Sequence, residues 1–266
     1  MSESRDAEFQ ARATRAESLD VRAGDNARYG SGDFDGWSRG LIENLKFASV
    51  VELACGTGNQ LCIYAKRPGM TRLVGVDLSG KALAQAGERL KQLGASARIS
   101  LLELPLDDAP RAKDLSTETF DLVSCFYGLY YAADPGKVLE GFIDRLTENG
   151  SVIVVGPHGK NNATLFDILE RHTRLPDLVV YSATTFMNEA VMPVLRRRLN
   201  CRIETFVNPV IYPDTDAVMR YWKASTFYDA KVERAVRDDI DAAVRRDGRF
   251  VIEKHVMAAI GTKGAQ

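Results

Sequence analysis

The residues best placed to do chemistry stand in one short stretch, Val50-Val-Glu-Leu-Ala-Cys-Gly-Thr-Gly58. An apolar, β-branched run carries a single acid, Glu52, and then gives way to small residues. This pattern predicts a buried strand that ends in a tight glycine turn. The segment after it, 60–66, is predicted to begin a helix. Strand, turn and helix N-terminus together present backbone N–H groups to a ligand. A second apolar run, Leu73-Val-Gly-Val-Asp77, also closes on an acid. A carboxylate at the end of a second parallel strand can accept both hydroxyls of a ribose.

The glycine spacing separates the cofactors that use such a turn. A dinucleotide fingerprint needs G-x-G-x-x-G. Here those positions fall on Ala54, Gly56 and Asn59, or on Gly56, Gly58 and Leu61, and neither register fits. The run Glu52-Leu-Ala-Cys-Gly-Thr-Gly58 instead resembles the first motif of class I S-adenosylmethionine methyltransferases, an acid followed by G-x-G-x-G, with Ala54 in place of the first glycine. The resemblance continues through Val74-Gly-Val-Asp77-Leu-Ser, Phe120-Asp-Leu-Val and Leu146-Thr-Glu-Asn-Gly150, and covers roughly residues 48–157.

That resemblance implies S-adenosyl-L-methionine as the cofactor, with Glu52, Ala54, Cys55, Gly56, Gly58, Asp77 and Leu78 around it. It also implies that the end of the third strand flanks the adenine. Glu103 is then placed to accept from the adenine amino group, with Leu102 or Leu104 over the ring. Asp107 and Asp108 are rivals for that role or form a solvated turn. Phe126 and Tyr127 follow the fourth strand, whose carboxyl end lies at the ligand crevice of an open α/β sheet. A ring face attracts a sulfonium by about 0.5–2 kcal/mol. Tyr130 and Tyr131 are expected to face substrate or to begin the next helix.

Further candidates lie outside these motifs. The Gly- and Asp-rich segment 25–37 holds Tyr29, Phe34 and Trp37, so it is expected to fold down rather than act as a linker. In the family such a segment often forms a lid, which makes Tyr29 a cofactor contact and Trp37 a substrate contact; the alternative is that both anchor the segment. His158 follows the fifth strand, where an imidazole can take a proton near neutral pH; the alternative is a loop-bracing histidine. Trp222 and Tyr228, in an aromatic-rich stretch, either wall a substrate pocket or pack a core. Arg196-Arg-Arg198 reads as a solvated helix face.

These residues need a scaffold. Strands are predicted at 50–54, 73–77, 97–104, 120–125, 152–155, 202–212 and 249–260. Helices are predicted at 41–48, 79–93, 135–146, 163–172, 216–227 and 231–246. A further helix is capped by Ser182 or Thr184, runs to Leu199 and is interrupted by Pro193. Ser79 and Asp214 are placed to cap their helices. Seven strands with intervening helices predict an α/β, doubly wound, Rossmann-like sheet, mostly parallel. The resemblance implies an antiparallel last strand and helical lid insertions. The expected division is an N-terminal tail and lid segment over 1–40, then a cofactor-binding domain over 41–266 with substrate-side insertions at about 163–199 and 214–247.

Composition bounds the rest. Thirty-five Lys and Arg against 36 Asp and Glu give a net charge of −1, which offers no global support for a nucleic-acid partner. No apolar run approaches the ~20 residues of a membrane helix, and residues 1–16 lack an apolar signal core. A cytoplasmic protein with no membrane partner is expected, with a homodimer open. The four cysteines form no C-x-x-C pair, and no Asp, Glu and His cluster has metal-ligand spacing, so no metal is expected. The expected function is transfer of a methyl group to a small molecule, oxygen ahead of nitrogen, by in-line displacement that rests on positioning. A non-catalytic S-adenosylmethionine-binding protein and an NAD(P)-dependent oxidoreductase remain as rivals.

Overall fold

The computed structural model describes residues 16–264; of the stretch 1–20, expected as a frayed tail or an exposed helix, residues 1–15 lie outside them and 16–20 are helical. Seven strands form one sheet: β1 (Ser49–Leu53), β2 (Arg72–Asp77), β3 (Arg98–Glu103), β4 (Phe120–Phe126), β5 (Leu146–Pro157), β6 (Asn200–Tyr212) and β7 (Phe250–Thr262). Their order is β3-β2-β1-β4-β5-β7-β6. The first five pair in parallel, and β7 is antiparallel. This is the predicted doubly wound architecture. The helices are α1 (Ala16–Tyr29), α2 (Phe34–Glu43), α3 (Asn59–Ala65), α4 (Gly80–Gln92), α5 (Pro135–Ile143), α6 (Ala163–Leu169), α7 (Asp177–Thr184), α8 (Met192–Arg198), α9 (Thr215–Lys223) and α10 (Glu233–Asp247).

The chain divides into two compact units. One holds the sheet core: Ser38–Gly156, Phe186–Thr205 and Met257–Gln266. The other holds the N-terminal segment through Trp37, Pro157–Thr185 and Phe206–Val256. Each is discontinuous in sequence.

In the sheet unit, β1, β2, β4 and the 152–155 part of β5 are nearly continuous apolar runs, as strands of a parallel sheet covered on both faces are. Gly75 interrupts β2 where backbone approach is tight: a Cβ there would lie 2.8 Å from Cys55 Sγ and 2.8 Å from Leu61 Cδ1. Asp121 ties three strands together at their amino ends. Its carboxylate accepts from the Ala48 and Ser49 N–H groups (2.9 and 3.0 Å) and from the Ser49 and Thr147 hydroxyls (both 2.9 Å). Ser79 caps α4 as expected, accepting from the Ala82 N–H at 3.3 Å.

Several boundaries differ from expectation. Residues 146–150 belong to β5 rather than to a helix end and turn: Leu146 pairs with Phe120 and Ser151 with Leu122. The residues between bulge outward opposite Asp121, whose carboxylate takes up Thr147. The helix expected at 41–48 is α2, which starts and ends earlier. In place of a short apolar run at 178–181 capped onward by Ser182 or Thr184, residues 177–184 are themselves helical. Both hydroxyls donate within that helix, to the Val179 carbonyl (3.1 Å) and the Val180 carbonyl (2.7 Å). Pro193 does split the next stretch, standing in the first turn of α8 after a π-helical segment, Met187–Val191.

In the other unit, residues 25–29 and 34–37 are helical and the short segment between them lies against β6. Gly30 bridges to Val210 on β6, the Ser31 N–H donates to the Pro209 carbonyl at 3.0 Å, and Asn208 Oδ1 accepts from the Gly32 N–H at 2.9 Å. Asp214 caps α9 through the Ala217 N–H at 2.8 Å.

Candidate functional site

The glycine turn is left-handed at three successive alternate residues: Ala54 at φ 53°, Gly56 at φ 51° and Gly58 at φ 81°. That conformation is why small residues recur there. Ala54 tolerates it at some cost, having a Cβ. Gly58 also lets α3 meet α4, since a Cβ on it would lie 2.8 Å from Ala86 Cβ. Arg89 on α4 pins the loop, donating to the Thr57 carbonyl at 2.9 Å and to Asn59 Oδ1 at 2.6 Å.

Asp77 stands beside this loop. One carboxylate oxygen accepts from the Gly56 N–H at 2.7 Å and the other from the Ser79 N–H at 2.9 Å. Each oxygen retains a lone pair for a further donor. Leu78 follows directly and is 51 % exposed. An apolar side chain beside a positioned carboxylate suits a ligand with a hydroxylated ring and a flat apolar face. Glu103 is the register partner of Asp77; its exposed carboxylate lies against Gly80, at the start of α4. Leu104 is half-buried, its N–H bonded to the Asp77 carbonyl at 3.1 Å. The rival Asp107 is committed to structure, accepting from the Ala133 and Asp134 N–H groups, each at 2.9 Å.

Glu52 is buried on β1, with the Phe126 N–H donating to its Oε1 at 3.3 Å. Its other oxygen, Oε2, is buried without a hydrogen-bond partner. Burial raises its pKa to about 7, partly offset by hydrogen bonds from Ser124, the Phe126 backbone and Tyr64. Ser124 and Tyr64 are themselves paired at 2.6 Å, both buried. Sequence reasoning missed this support. The signal was Ser124, a polar residue inside the apolar stretch 122–126 of β4. A carboxylate with one unused oxygen in a protein interior suits a cationic or N–H-bearing ligand group. The Cys55 thiol is pushed far up by burial, then by the Asp77 and Glu52 carboxylates, which leaves it an inert packing group.

At the end of β4, Phe126 is half-buried and Tyr127 is left-handed at φ 63°. The Tyr127 N–H is anchored on the Val155 carbonyl at 2.8 Å. Tyr130 and Tyr131 form a 3-10 turn with their rings 4.6 Å apart, and Tyr130 meets Phe186 edge-on at 5.6 Å. The sheet unit thus brings Glu52, the 54–58 loop, Asp77, Leu78, Glu103, Leu104, Phe126 and Tyr127 to the carboxyl ends of β1–β4.

The remaining candidates belong to the other unit. Tyr29 packs on Tyr212 at 5.3 Å, and its hydroxyl accepts from Arg220 at 3.3 Å. Trp37 stacks on Phe206 at 5.2 Å. Both contacts match the anchoring alternative. Trp222 is 0 % exposed, donates its indole N–H to the Phe227 carbonyl at 3.2 Å and packs on Tyr228 at 5.0 Å. Of the two alternatives for Trp222, a pocket wall or core packing, this burial matches core packing. The Tyr228 hydroxyl bonds Glu233. His158 donates its backbone N–H to the His255 carbonyl at 3.1 Å. Burial first, then the neighbouring His255, lowers its pKa. Among the described residues no group of three or more His, Cys, Asp or Glu side chains could hold a metal ion, and no single helix is long and apolar enough to cross a membrane.

The family described as "Methyltransferase domain" matches residues 45–198. An uncharacterized protein of Haemophilus influenzae is 34 % identical over 119 residues, 44 % of this chain and 45 % of that one. A ubiquinone/menaquinone biosynthesis C-methyltransferase of Geotalea daltonii is 25 % identical over 123 residues, 45 % of this chain and 51 % of that one. The match thus spans about half the length of these relatives. Among solved structures, the plantazolicin methyltransferase BpumL in complex with SAH superposes with a TM-score of 0.53 at 13 % identity, covering 99 % of this chain and 96 % of that one. At that identity the likeness is one of fold.

Proposed function

The chain belongs to the class I S-adenosylmethionine-dependent methyltransferases, whose domain matches more than half of it, and from that premise we propose that it transfers a methyl group from S-adenosylmethionine to a small molecule. The observation that carries this reading is the pair of carboxylates flanking the 54–58 loop, one of them with an unused buried oxygen. In this assignment Asp77 holds the ribose hydroxyls and Glu52 accepts from the methionine ammonium. Leu78, Glu103 and Leu104 flank the adenine. Phe126 and Tyr127 stand toward the sulfonium, where ring faces favour positive charge.

The cofactor supplies an electrophilic methyl group on sulfur. The protein's part is to hold donor and acceptor in line and to exclude water. An acceptor hydroxyl also has to lose a proton. His158, whose imidazole is kept neutral by burial, is the proposed base, and that supports oxygen ahead of nitrogen. A small acceptor is supported by the quinone-biosynthesis relative. Tyr130 and Tyr131 are proposed acceptor contacts.

Calorimetric titration with S-adenosylhomocysteine and with NAD tests the cofactor. Binding of the first alone is expected, with Asp77→Ala reducing affinity at least about tenfold while circular dichroism stays that of the parent. NAD binding, or a variant that binds S-adenosylhomocysteine as the parent does, overturns the assignment. His158→Asn is expected to lower kcat and remove the acid limb of the kcat profile, leaving cofactor affinity unchanged.

A further inference from the structure

The outer edge of β6 carries an exposed apolar row. Ile203, Val207 and Ile211 are 40, 43 and 37 % exposed, and odd positions of one strand share a face. β6 is also the terminal strand of the sheet. An edge of this length normally carries a protective device. Here the 30–32 segment covers it only from Asn208 onward, through the Gly30–Val210 bridge, the Ser31 bond to the Pro209 carbonyl and the Gly32 bond to Asn208. Among the described residues the stretch 200–207 has no strand on its outer side, away from β7.

The strand's own chemistry selects an occupant. The Pro209 carbonyl points outward to Ser31, so the N–H and C=O groups of the odd residues 201, 203 and 205 point outward as well. Two copies can pair antiparallel about a two-fold axis at residue 203 or 204. An axis at 204 sets Glu204 against its own copy. An axis at 203 sets Arg202 of each copy opposite Glu204 of the other, the two residues that already pair within one strand. It also sets Ile203 opposite Ile203 as a hydrogen-bonded pair, Cys201 opposite Thr205, and Val207 opposite Leu199. Opposite charges and aliphatic side chains facing each other across strands are stabilising, like charges the reverse. An isologous interface must be complementary to itself, and of these two registers the one centred on Ile203 is. Residues 1–15 offer only Met1 and Phe9 as large apolar side chains.

We propose that the chain forms a two-fold dimer by antiparallel pairing of β6 edges centred on Ile203, which joins two sheets into one. Sedimentation equilibrium of the full chain over about a hundredfold dilution is expected to show a dimer. Ile203→Lys, which places two like charges on the axis, is expected to give a monomer that binds S-adenosylhomocysteine as the parent does. Thr205→Cys is expected to form a disulfide-linked dimer with the native Cys201 under mild oxidation. The same substitution with Cys201→Ser is expected not to. Within one chain these positions are about 13 Å apart along the strand, too far to bridge. A monomer at every concentration overturns the proposal and leaves another protein or residues 1–15 as occupant. A dimer that survives Ile203→Lys, or cross-links without Cys201, overturns the register.

Discussion

The Cβ of Ala54 points at Gly128: a methyl added to Gly128 would lie 2.5 Å from it. Both residues are left-handed, at φ 53° and 101°, so the β1 and β4 turns are mutually fitted. Where the resembling motif has glycine at position 54, this chain has a methyl group, and the opposing turn is left bare. Gly128→Ala is expected to cost about 2–4 kcal/mol, from overpacking plus left-handed strain. Ala54→Gly alone is expected to change stability by less than about 1 kcal/mol, since relief of strain and loss of chain stiffness oppose each other. In the Ala54→Gly background, Gly128→Ala should cost measurably less. Additive costs in a denaturation cycle would show that the two do not touch.

Glu52, as the proposed acceptor for the ammonium, is expected to link stability and cofactor affinity with opposite signs. Its folded pKa is raised from 4.5 to about 7, so its contribution to stability is complete below pH 4.5 and is lost as pH rises through 7. The loss amounts to about 3 kcal/mol. Glu52→Gln is therefore expected to raise the melting temperature at pH 8 while weakening S-adenosylhomocysteine binding. In the parent, affinity should fall by up to about tenfold per pH unit below 7, as the carboxylate takes up a proton it must release to meet an ammonium. Affinity independent of pH between 5.5 and 8 would exclude the contact.

Asp121 has the reverse linkage. Burial pushes its pKa up, but hydrogen bonds from Ala48, Thr147 and Ser49 outweigh that and hold it below the usual value of 3.8. Its stabilisation is present above pH 3.8 and disappears as pH falls through the depressed folded value. Asp121→Ala leaves two N–H groups without their acceptor and is expected to cost about 2–4 kcal/mol at pH 7. The variant should lose less stability than the parent when taken to pH 3. Equal acid losses in urea titrations would show that Asp121 does not carry this linkage.

Gly75 holds the loop at a distance. Gly75→Ala would drive a methyl to 2.8 Å from Cys55 Sγ, and the expected cost is about 1–3 kcal/mol, with weaker cofactor binding because Cys55 lies in the loop. Cys55→Ala should recover part of both. If it recovers neither, the clash is taken up by Leu61 or Leu101 instead.

The sequence by itself determined what depends on near neighbours along the chain. Ser79 and Asp214 reach N–H groups three residues on, so both caps were legible. Left-handed turns select small residues, so the 54–58 loop was legible, and apolar runs closing on Glu52 and Asp77 set two strands in their order. Only the tertiary structure decided what depends on distant neighbours. Glu52 has a raised pKa because the fold buries it, and the bonds that Ser124, Tyr64 and Phe126 bring to it from a helix and another strand offset only part of that rise. Residues 146–150 join β5 because Asp121 and Phe120 offer them partners, where local periodicity had ended a helix. Burial and cross-strand pairing are pairwise properties of residues far apart in sequence, and a one-dimensional pattern records only one member of each pair.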